Sequence, residues 1–212
     1  MTSIGILGAG RVGANLAARL SAAGHRVTLG VRNPEEAAAR AAAPRITLAD
    51  QRATARTADI VINATPGDSS LDRLTDLRTE LSGKILIDVS NATRDAADGL
   101  PDNLVYPGSS LAEKLQAALP DTHVVKTLNT MLFTVMTAPE SLATPPTAYV
   151  SGDDENARKS VTVLLGDLGW RPAWIEDLGD IRTARATEAM ILVVPHVLRR
   201  NGFQPFAVSL AR

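Results

Sequence analysis

The sequence is poor in several of the groups on which protein chemistry often depends. Its 212 residues include no cysteine, which excludes disulfides, thiolate nucleophiles and cysteine-ligated zinc. Aromatic residues make up only 3% of the chain, so the core must consist mainly of aliphatic side chains. With 22 Lys+Arg against 23 Asp+Glu, the chain lacks the positive excess that favours binding to nucleic acid or anionic membranes.

Long hydrophobic runs are also missing. The longest apolar stretch, residues 190–195, is far shorter than the roughly 20 residues that a membrane-spanning helix needs. The first seven residues enter an apolar run with no basic segment before it, a pattern that is not typical of a secretory signal. We therefore expect a cytoplasmic protein with no membrane partner and with enough residues to bury a core.

Short apolar runs alternate with segments of helical character along the chain. This alternation is typical of an α/β fold in which helices cover a doubly wound, mainly parallel sheet. The predicted strands, which we expect to form one seven-stranded sheet, are residues 3–7, 26–31, 59–64, 84–89, 123–128, 147–151 and 171–175. The predicted helices are residues 11–23, 34–43, 49–56, 70–81, 111–119, 155–168 and a last one near 181–201, in which Pro195 predicts a kink or break. Residues 91–110 and 129–146 are expected to be long irregular connections.

A glycine-rich hexapeptide follows the first predicted strand and opens the first helix. Its sequence is Gly8-Ala9-Gly10-Arg11-Val12-Gly13. In this setting Gly8 permits a tight turn, Gly10 lets a pyrophosphate approach the backbone, and Gly13 allows the helix to pack closely on the strand. The helix N-terminus adds free N–H groups and a partial positive charge. The motif predicts a dinucleotide site, with Arg11 as either a phosphate ligand or a surface residue.

The end of the second predicted strand bears on the choice of cofactor. Arg32, followed by Asn33, stands where a site for NAD would offer an acidic residue to the ribose hydroxyls. An arginine at that position fits a 2′-phosphate and predicts NADP, and we expect both Arg32 and Asn33 to contact the cofactor. The alternative is a solvated arginine at the end of a strand, since Glu35 and Glu36 lie close in sequence.

Further polar and small residues follow the later strands. The carboxyl ends of parallel strands border the crevice in which a ligand lies. We expect the cofactor to contact Ala64, Thr65, Pro66 and Asn91, and the second substrate to contact Asn129, Thr130 and Met131. A flavin-like ring would have to lie against aliphatic side chains such as Leu128, Met131 and Ile191, because so few aromatic side chains are available.

A few titratable side chains remain as candidates for other roles. Lys126 lies in a strand that should be buried, which predicts an ion pair or a chain that reaches the surface, with catalysis as the alternative. We expect structural roles for His25 and His123, whereas His196 on the last helix could lie at the site. Hydride transfer between two rings needs no obligatory acid–base residue, so we predict no catalytic side chain, and we also predict no metal site.

Several of these segments together resemble one family, the coenzyme F420-dependent NADP oxidoreductases. The resemblance rests on the GxGxxG, on Gly30-Val31-Arg32, and on the segments 124–130, 150–154 and 184–188. It implies a Rossmann-type dinucleotide-binding domain, here residues 1–178, and a small C-terminal helical part, residues 179–212, which packs on that domain or on a dimer partner. The cytosolic domain of the six-transmembrane metalloreductases is similar too. In the glycine loop and at Val31 the chain departs from the deazaflavin-using members, which have a serine before the arginine.

The resemblance implies a homodimeric, NADP(H)-dependent oxidoreductase that transfers a hydride between nicotinamide and a deazaflavin (coenzyme F420) or a flavin. One alternative is reduction of a small carbonyl or imine, which would require a proton donor such as Lys126, Asn129 or His196. Reduction of ferric ion through a flavin is another. A protein of a different class, which senses NADP(H) without catalysis, also fits a fold that does not by itself prove catalysis.

Overall fold

A computed structural model describes residues 1–34 and 46–211 of the chain. The strands are β1 (Ser3–Leu7), β2 (Arg26–Val31), β3 (Ile46–Asp50), β4 (Ile60–Asn63), β5 (Ile85–Asp88), β6 (Thr93–Asp95), β7 (Pro101–Leu104), β8 (His123–Lys126), β9 (Ala148–Val150) and β10 (Ile175–Asp177). The α-helices in these ranges are α1 (Arg11–Ala22), α2 (Gln51–Thr57), α3 (Ser70–Thr75), α4 (Arg78–Leu81), α5 (Leu111–Ala118), α6 (Glu155–Asp167), α7 (Ala184–Ala189) and α8 (Val194–Asn201).

The central sheet is parallel and has the strand order β3-β2-β1-β4-β5-β8. The first strand, β1, lies in the middle of the sheet, and β2 and β3 follow on one side of it. The chain then crosses to the other side of β1, where β4, β5 and β8 follow in order. Strand order therefore reverses between β1 and β4, which in open α/β sheets marks the crevice where a ligand binds. The predicted doubly wound, Rossmann-type α/β fold is confirmed.

Two aliphatic clusters cover the two faces of this sheet. Along β5 the side chains alternate between them, so that Leu86 belongs to one cluster and Ile87 to the other. Leu16 and Leu20 of α1 pack in one cluster, and Leu115 of α5 packs in the other. Because both faces are covered, the strands read as nearly continuous apolar runs.

The predicted seven-stranded sheet is wrong. Among the described residues the central sheet has six strands, and β9 pairs instead with β10 in a separate two-stranded sheet. A single antiparallel bridge between Lys126 and Ser151 connects the two sheets. The strand expected at 171–175 begins only at Ile175, because Pro172 has no N–H for a ladder and lies in a short 3-10 turn.

Other predicted segments also differ from the structure. The helix expected from residue 49 starts at Gln51, after a strand that pairs with β2, and the Asp50 side chain caps it by accepting a hydrogen bond from the Ala53 N–H. The helix expected over 70–81 is interrupted between α3 and α4. A short antiparallel hairpin, β6 and β7, lies within the connection 91–110. Apart from Pro34, the helix expected over 34–43 lies outside the described residues.

The C-terminal segment is a series of short helical pieces. Between α7 and α8 the chain forms a 3-10 turn, Met190–Val193, and Pro195 follows in the first turn of α8. A proline there has no hydrogen-bond partner to lose, whereas one in the middle of a helix would break the ladder. The break predicted from Pro195 is confirmed.

Candidate functional site

The glycine loop between β1 and α1 has the geometry that a phosphate site requires. Gly8 has φ of +106°, and a Cβ there would lie 2.6 Å from the Ala64 carbonyl oxygen. A Cβ on Gly13 would lie 1.8 Å from the Gly8 carbonyl oxygen, so the helix packs directly on the turn. A Cβ on Gly10, by contrast, would meet no heavy atom within 4 Å. The loop therefore leaves open space only at the position where a phosphate would approach the N-terminus of α1.

A cavity of about 600 Å³, which we call the loop cavity, opens beside this glycine loop. Its lining comes from the carboxyl ends of β1, β2 and β4, from the glycine loop and the first turn of α1, from the start of α2 and from α3. The lining residues are Gly8, Ala9, Gly10, Val12, Gly30, Val31, Arg32, Gln51, Ala64, Thr65, Pro66 and Arg73. The titratable side chains in that lining are the guanidinium groups of Arg32 and Arg73, and no described carboxylate lines it. The cavity is thus suited to an anionic ligand.

A second cavity, of about 320 Å³, adjoins the first, and we call it the tail cavity. The two share Val12, Thr65 and Pro66, so they lie side by side along the same residues, and we call the pair the cleft. The lining of the tail cavity is Val12, Thr65, Pro66, Gly67, Val89, Ser90, Asn91, Asn129, Met131, Leu132, Phe133, Met136, Ile191, Val194 and Phe206. Within the part of the chain that the structure describes, none of these lining side chains titrates near neutral pH.

The C-terminal segment closes the tail cavity from one side. The Leu132 N–H donates to the Phe206 carbonyl over 3.0 Å, and the Val208 N–H donates to the Thr130 carbonyl over 2.9 Å. The guanidinium of Arg11 lies 5.4 Å from the Phe133 ring centroid and 5.8 Å from that of Phe203, within the range of a cation–π contact. Arg11 therefore contacts the rings beside the tail cavity and does not line the loop cavity.

A pair of asparagine side chains lines the tail cavity where β5 and β8 end. The Asn91 amide donates to the Asn129 carbonyl over 2.8 Å, and the Asn129 amide donates to Asn91 Oδ1 over 3.0 Å. Leu128, which precedes Asn129, has φ of +59°, a left-handed conformation that costs free energy in a branched residue. This turn aims Asn129 back toward Asn91.

Three neighbouring strands place polar side chains in register beneath the tail cavity. Asn63 of β4 lies beside Asp88 of β5, which lies beside Lys126 of β8. The Asn63 amide donates to Asp88 Oδ1 over 2.9 Å, and the Ser90 hydroxyl donates to the same oxygen over 2.7 Å. Because Ser90 also lines the tail cavity, this buried network fixes part of its wall.

Lys126 is the charged centre of that network and is 1% exposed. Its ammonium lies 2.8 Å from Asp88 Oδ2 and 2.9 Å from Glu188 Oε1, and it also donates to the Ser90 carbonyl. Burial alone would lower the pKa of Lys126, but the two carboxylates outweigh it and raise that pKa above its ordinary value. The charged form of Lys126 therefore contributes its full stabilisation below pH 10.5, the ordinary pKa of lysine. That contribution is lost only as the pH rises through the higher pKa of the folded state.

Glu188 connects this network to the C-terminal segment. It lies on α7 and accepts hydrogen bonds from the Leu111 and Ala112 N–H groups at the start of α5. Its negative charge therefore faces both the Lys126 ammonium and the positive end of a helix. All three Lys126 N–H groups have partners, so Lys126 has a structural position.

The structure brings most of the sequence-predicted site residues to one cleft. Those that line one cavity or both are Gly8, Ala9, Gly10, Val12, Arg32, Ala64, Thr65, Pro66, Asn91, Asn129 and Met131. Ile191 also lines the tail cavity, whereas Leu128 is buried in the core. The side chain of Thr130 is 5% exposed, does not line either cavity, and has no hydrogen-bond partner for its hydroxyl among the described residues. Gly13 packs against the turn, and Asn33 lies outside both linings.

The histidines lie away from the cleft. The His25 ring accepts a hydrogen bond from the Thr2 N–H and lies 3.1 Å from an Asp167 carboxylate oxygen, at the opposite end of the sheet. His123 lies 3.7 Å from Asp154. His196 is exposed on α8 and is not part of the tail cavity lining.

Sequence reasoning did not find several residues of the cleft. Arg73 lies in the short helix after β4, within ten residues of a strand end that the sequence indicated, and that closeness is the signal that could have found it. Val194, Phe206 and Phe133 come from segments with no motif, and only the fold brings them to the tail cavity. Within the described ranges, none of the helices combines the length and apolar character needed to cross a bilayer.

Comparison with known proteins places the chain in a family. The family model for coenzyme F420-dependent NADP oxidoreductases matches residues 3–92. A candidate F420-dependent NADP reductase from Arthrobacter sp. FB24, known from a crystal structure, is 36% identical, with a TM-score of 0.92 and full coverage of both chains. The F420-dependent NADP reductase of Methanocaldococcus jannaschii is 29% identical over 144 residues, 66% of this chain and 62% of that protein.

Metalloreductases are similar as well. Human metalloreductase STEAP2 is 30% identical over 191 residues, which is 90% of this chain. The chain spans about a third of the length of that relative, 36%. Full-length similarity to the Arthrobacter protein, together with the glycine loop and the strand order, shows that the chain belongs to the family of coenzyme F420-dependent NADP oxidoreductases.

Proposed function

We propose that this protein is an oxidoreductase that transfers a hydride between NADP(H) and a deazaflavin of the coenzyme F420 type, or a flavin. The observation that carries the proposal is the contrast along one cleft. The loop cavity has only arginines as titratable groups, and the adjoining tail cavity has apolar and amide side chains with no titratable group among the described residues.

The loop cavity fits the pyrophosphate and the 2′-phosphate of NADP. The open space at Gly10 lets a phosphate reach the N-terminus of α1, and Arg32 lies at the end of β2, where an acidic residue would favour NAD. In this arrangement the backbone N–H groups bind the pyrophosphate, and the guanidinium pairs with the phosphate on the ribose.

The tail cavity fits the reacting end of the cleft. When bound, the nicotinamide and the second ring supply the hydride chemistry themselves. The side chains of Met131 and Ile191 exclude water from the rings, and the paired amides of Asn91 and Asn129 present fixed polar atoms at one wall. A hydride passes between two rings without an enzymic proton donor, so this reaction does not require a titratable side chain in the lining.

Steady-state assays with separate acceptors test this proposal. The protein would be incubated with NADPH and, in parallel, with a deazaflavin, flavin mononucleotide, ferric ion with flavin, and a small cyclic imine. We expect NADPH oxidation with the deazaflavin or the flavin. Turnover of the imine alone would contradict the proposal and favour the alternative function, reduction of a small carbonyl or imine. Tight NADPH binding without any turnover would favour an NADP(H) sensor.

The cytoplasmic location and the homodimer expected from the sequence belong to the same proposal. Val193 and Phe203 of the C-terminal segment are 43% and 63% exposed and offer an apolar surface to a second copy. Light scattering coupled to size-exclusion chromatography should give a mass near twice 22.4 kDa.

A further inference from the structure

The loop cavity holds a second guanidinium group in addition to that of Arg32. Arg73 lies on α3, the helix that follows β4, and its side chain lines the same cavity as Arg32 and the glycine loop. We propose that Arg73 is a second cation for the 2′-phosphate of NADP and helps to determine the preference for NADP over NAD. This inference rests on the proposed use of NADP.

The position of Arg73 is fixed by its surroundings. The turn before α3 contains Gly67, where a Cβ would lie 2.2 Å from the Asn91 carbonyl oxygen, so this turn packs tightly against the chain after β5. The next residue in α3, Leu74, is completely buried. The backbone that carries Arg73 is therefore held on both sides, and its guanidinium is directed from a rigid element.

The guanidinium itself is only partly satisfied by the protein. One terminal nitrogen of Arg73 donates to the Ser69 hydroxyl over 3.0 Å, while Nε is buried and has no hydrogen-bond partner among the described residues. Buried donors in folded proteins nearly always have a partner. In the proposed complex, an oxygen of the 2′-phosphate is the acceptor for this donor.

The electrostatic setting favours a doubly charged anion. Neither Arg32 nor Arg73 forms an ion pair with a described carboxylate, although five of the ten ion pairs in the described ranges involve arginine. Two guanidinium groups around one cavity, neither paired with a carboxylate of residues 1–34 or 46–211, attract a phosphate monoester, which carries close to two negative charges at neutral pH. The pyrophosphate has the N-terminus of α1 and needs no second arginine.

Binding measurements on the full chain test the proposal. Dissociation constants for NADPH and NADH would be measured by fluorescence for the unmodified protein, Arg73→Gln, Arg73→Lys and a control, Arg94→Gln, which removes one exposed positive charge outside both cavities. We expect Arg73→Gln to weaken NADPH binding by about tenfold or more and NADH binding by less than about twofold. Arg73→Lys should restore part of the loss, and Arg94→Gln should change neither constant.

Two outcomes would overturn the role of Arg73 as proposed. Equal losses of affinity for NADPH and NADH would show that Arg73 contacts a group that both nucleotides share. Unchanged affinity for both would show that Arg73 has only a structural role. Competition by 2′-AMP against 5′-AMP gives a second readout, since only 2′-AMP should lose affinity in Arg73→Gln. Thermal unfolding of each variant shows whether the fold persists. If the unmodified protein binds NADPH no better than NADH, the proposed use of NADP itself fails, and that result is independent of the variants.

Discussion

The two cavities of the cleft are built in different ways. Most of the loop cavity comes from short stretches at the ends of three adjacent strands, with two of its three glycines, Gly8 and Gly10, in one hexapeptide. The tail cavity is assembled from segments as distant in sequence as Val12, Val89, Met131 and Phe206. A charged nucleotide can be bound by local backbone geometry, whereas the position of an uncharged ring depends on packing across the whole chain.

The two cavities also depend on different forces. The loop cavity offers backbone N–H groups and guanidinium charges to its ligand. The tail cavity is lined mainly by apolar side chains, with a few amides and hydroxyls, and it rests on a buried ionic network of Lys126, Asp88 and Glu188. Substitutions in the ionic network should therefore change mainly the stability of the fold, whereas substitutions in the loop cavity should change mainly the binding of the nucleotide.

The largest expected effect comes from the buried network. Lys126→Met leaves two buried carboxylates without a cation, and removal of one partner from a buried ion pair typically costs about 3–5 kcal/mol. We expect a loss of free energy of unfolding of that order, measured by urea denaturation. Lys159→Met is the matched control, because its ion pair with Glu155 is exposed on α6 and should change stability little. Equal stabilities for the two variants would contradict the structural role of Lys126.

The next effect concerns the glycine loop. Gly10→Val places a side chain in the open space where a phosphate would lie, so NADPH binding should weaken by about 100-fold, or about 2.8 kcal/mol, while the thermal unfolding temperature stays near that of the unmodified protein. Gly13→Val should lose both fold and binding, because its Cβ would overlap the Gly8 carbonyl. Normal NADPH binding by Gly10→Val would remove the phosphate site from this loop.

A smaller effect is expected at the end of β2. Arg32→Glu should weaken NADPH binding by about 1–3 kcal/mol through the loss of charge-assisted hydrogen bonds and should leave NADH binding nearly unchanged or improved. Isothermal titration with both nucleotides measures the difference. Similar losses for the two nucleotides would show that Arg32 does not contact the 2′-phosphate.

The smallest effect concerns pH and the attachment of the C-terminal segment. Burial would raise the pKa of Glu113, but hydrogen bonds from Arg185 and Ser110 outweigh it and lower that pKa below its ordinary value of 4.5. This contact, which joins α5 to α7, therefore stabilises the fold above pH 4.5 and loses its contribution as the pH falls through the lower folded value. In Glu113→Gln the difference in unfolding temperature between pH 7 and pH 3 should shrink slightly. An unchanged difference would show that the contact contributes nothing in solution.

Much of the fold and of the loop cavity could be predicted from sequence, because the signals are local. The apolar run 3–7, the hexapeptide after it and Arg32 at the end of the next strand are each read within a few residues. The errors occurred where local patterns are ambiguous. The edge strand β3 has partly exposed side chains and no clear apolar run, and β9 is apolar but pairs outside the central sheet.

The sequence by itself determined the strand–glycine loop–helix unit and the absence of an acid at the end of β2, because hydrogen bonding and steric limits act over neighbouring residues there. Only the tertiary structure decided that Arg73 shares a cavity with Arg32, that Lys126 is held by Asp88 and Glu188, and that the C-terminal segment closes the tail cavity. Those facts depend on strand register and on packing between residues far apart in the chain, which local sequence patterns do not encode. The sequence shows that aromatic side chains are scarce, but only the fold shows where they lie. Two of the three phenylalanines, Phe133 and Phe206, line the tail cavity.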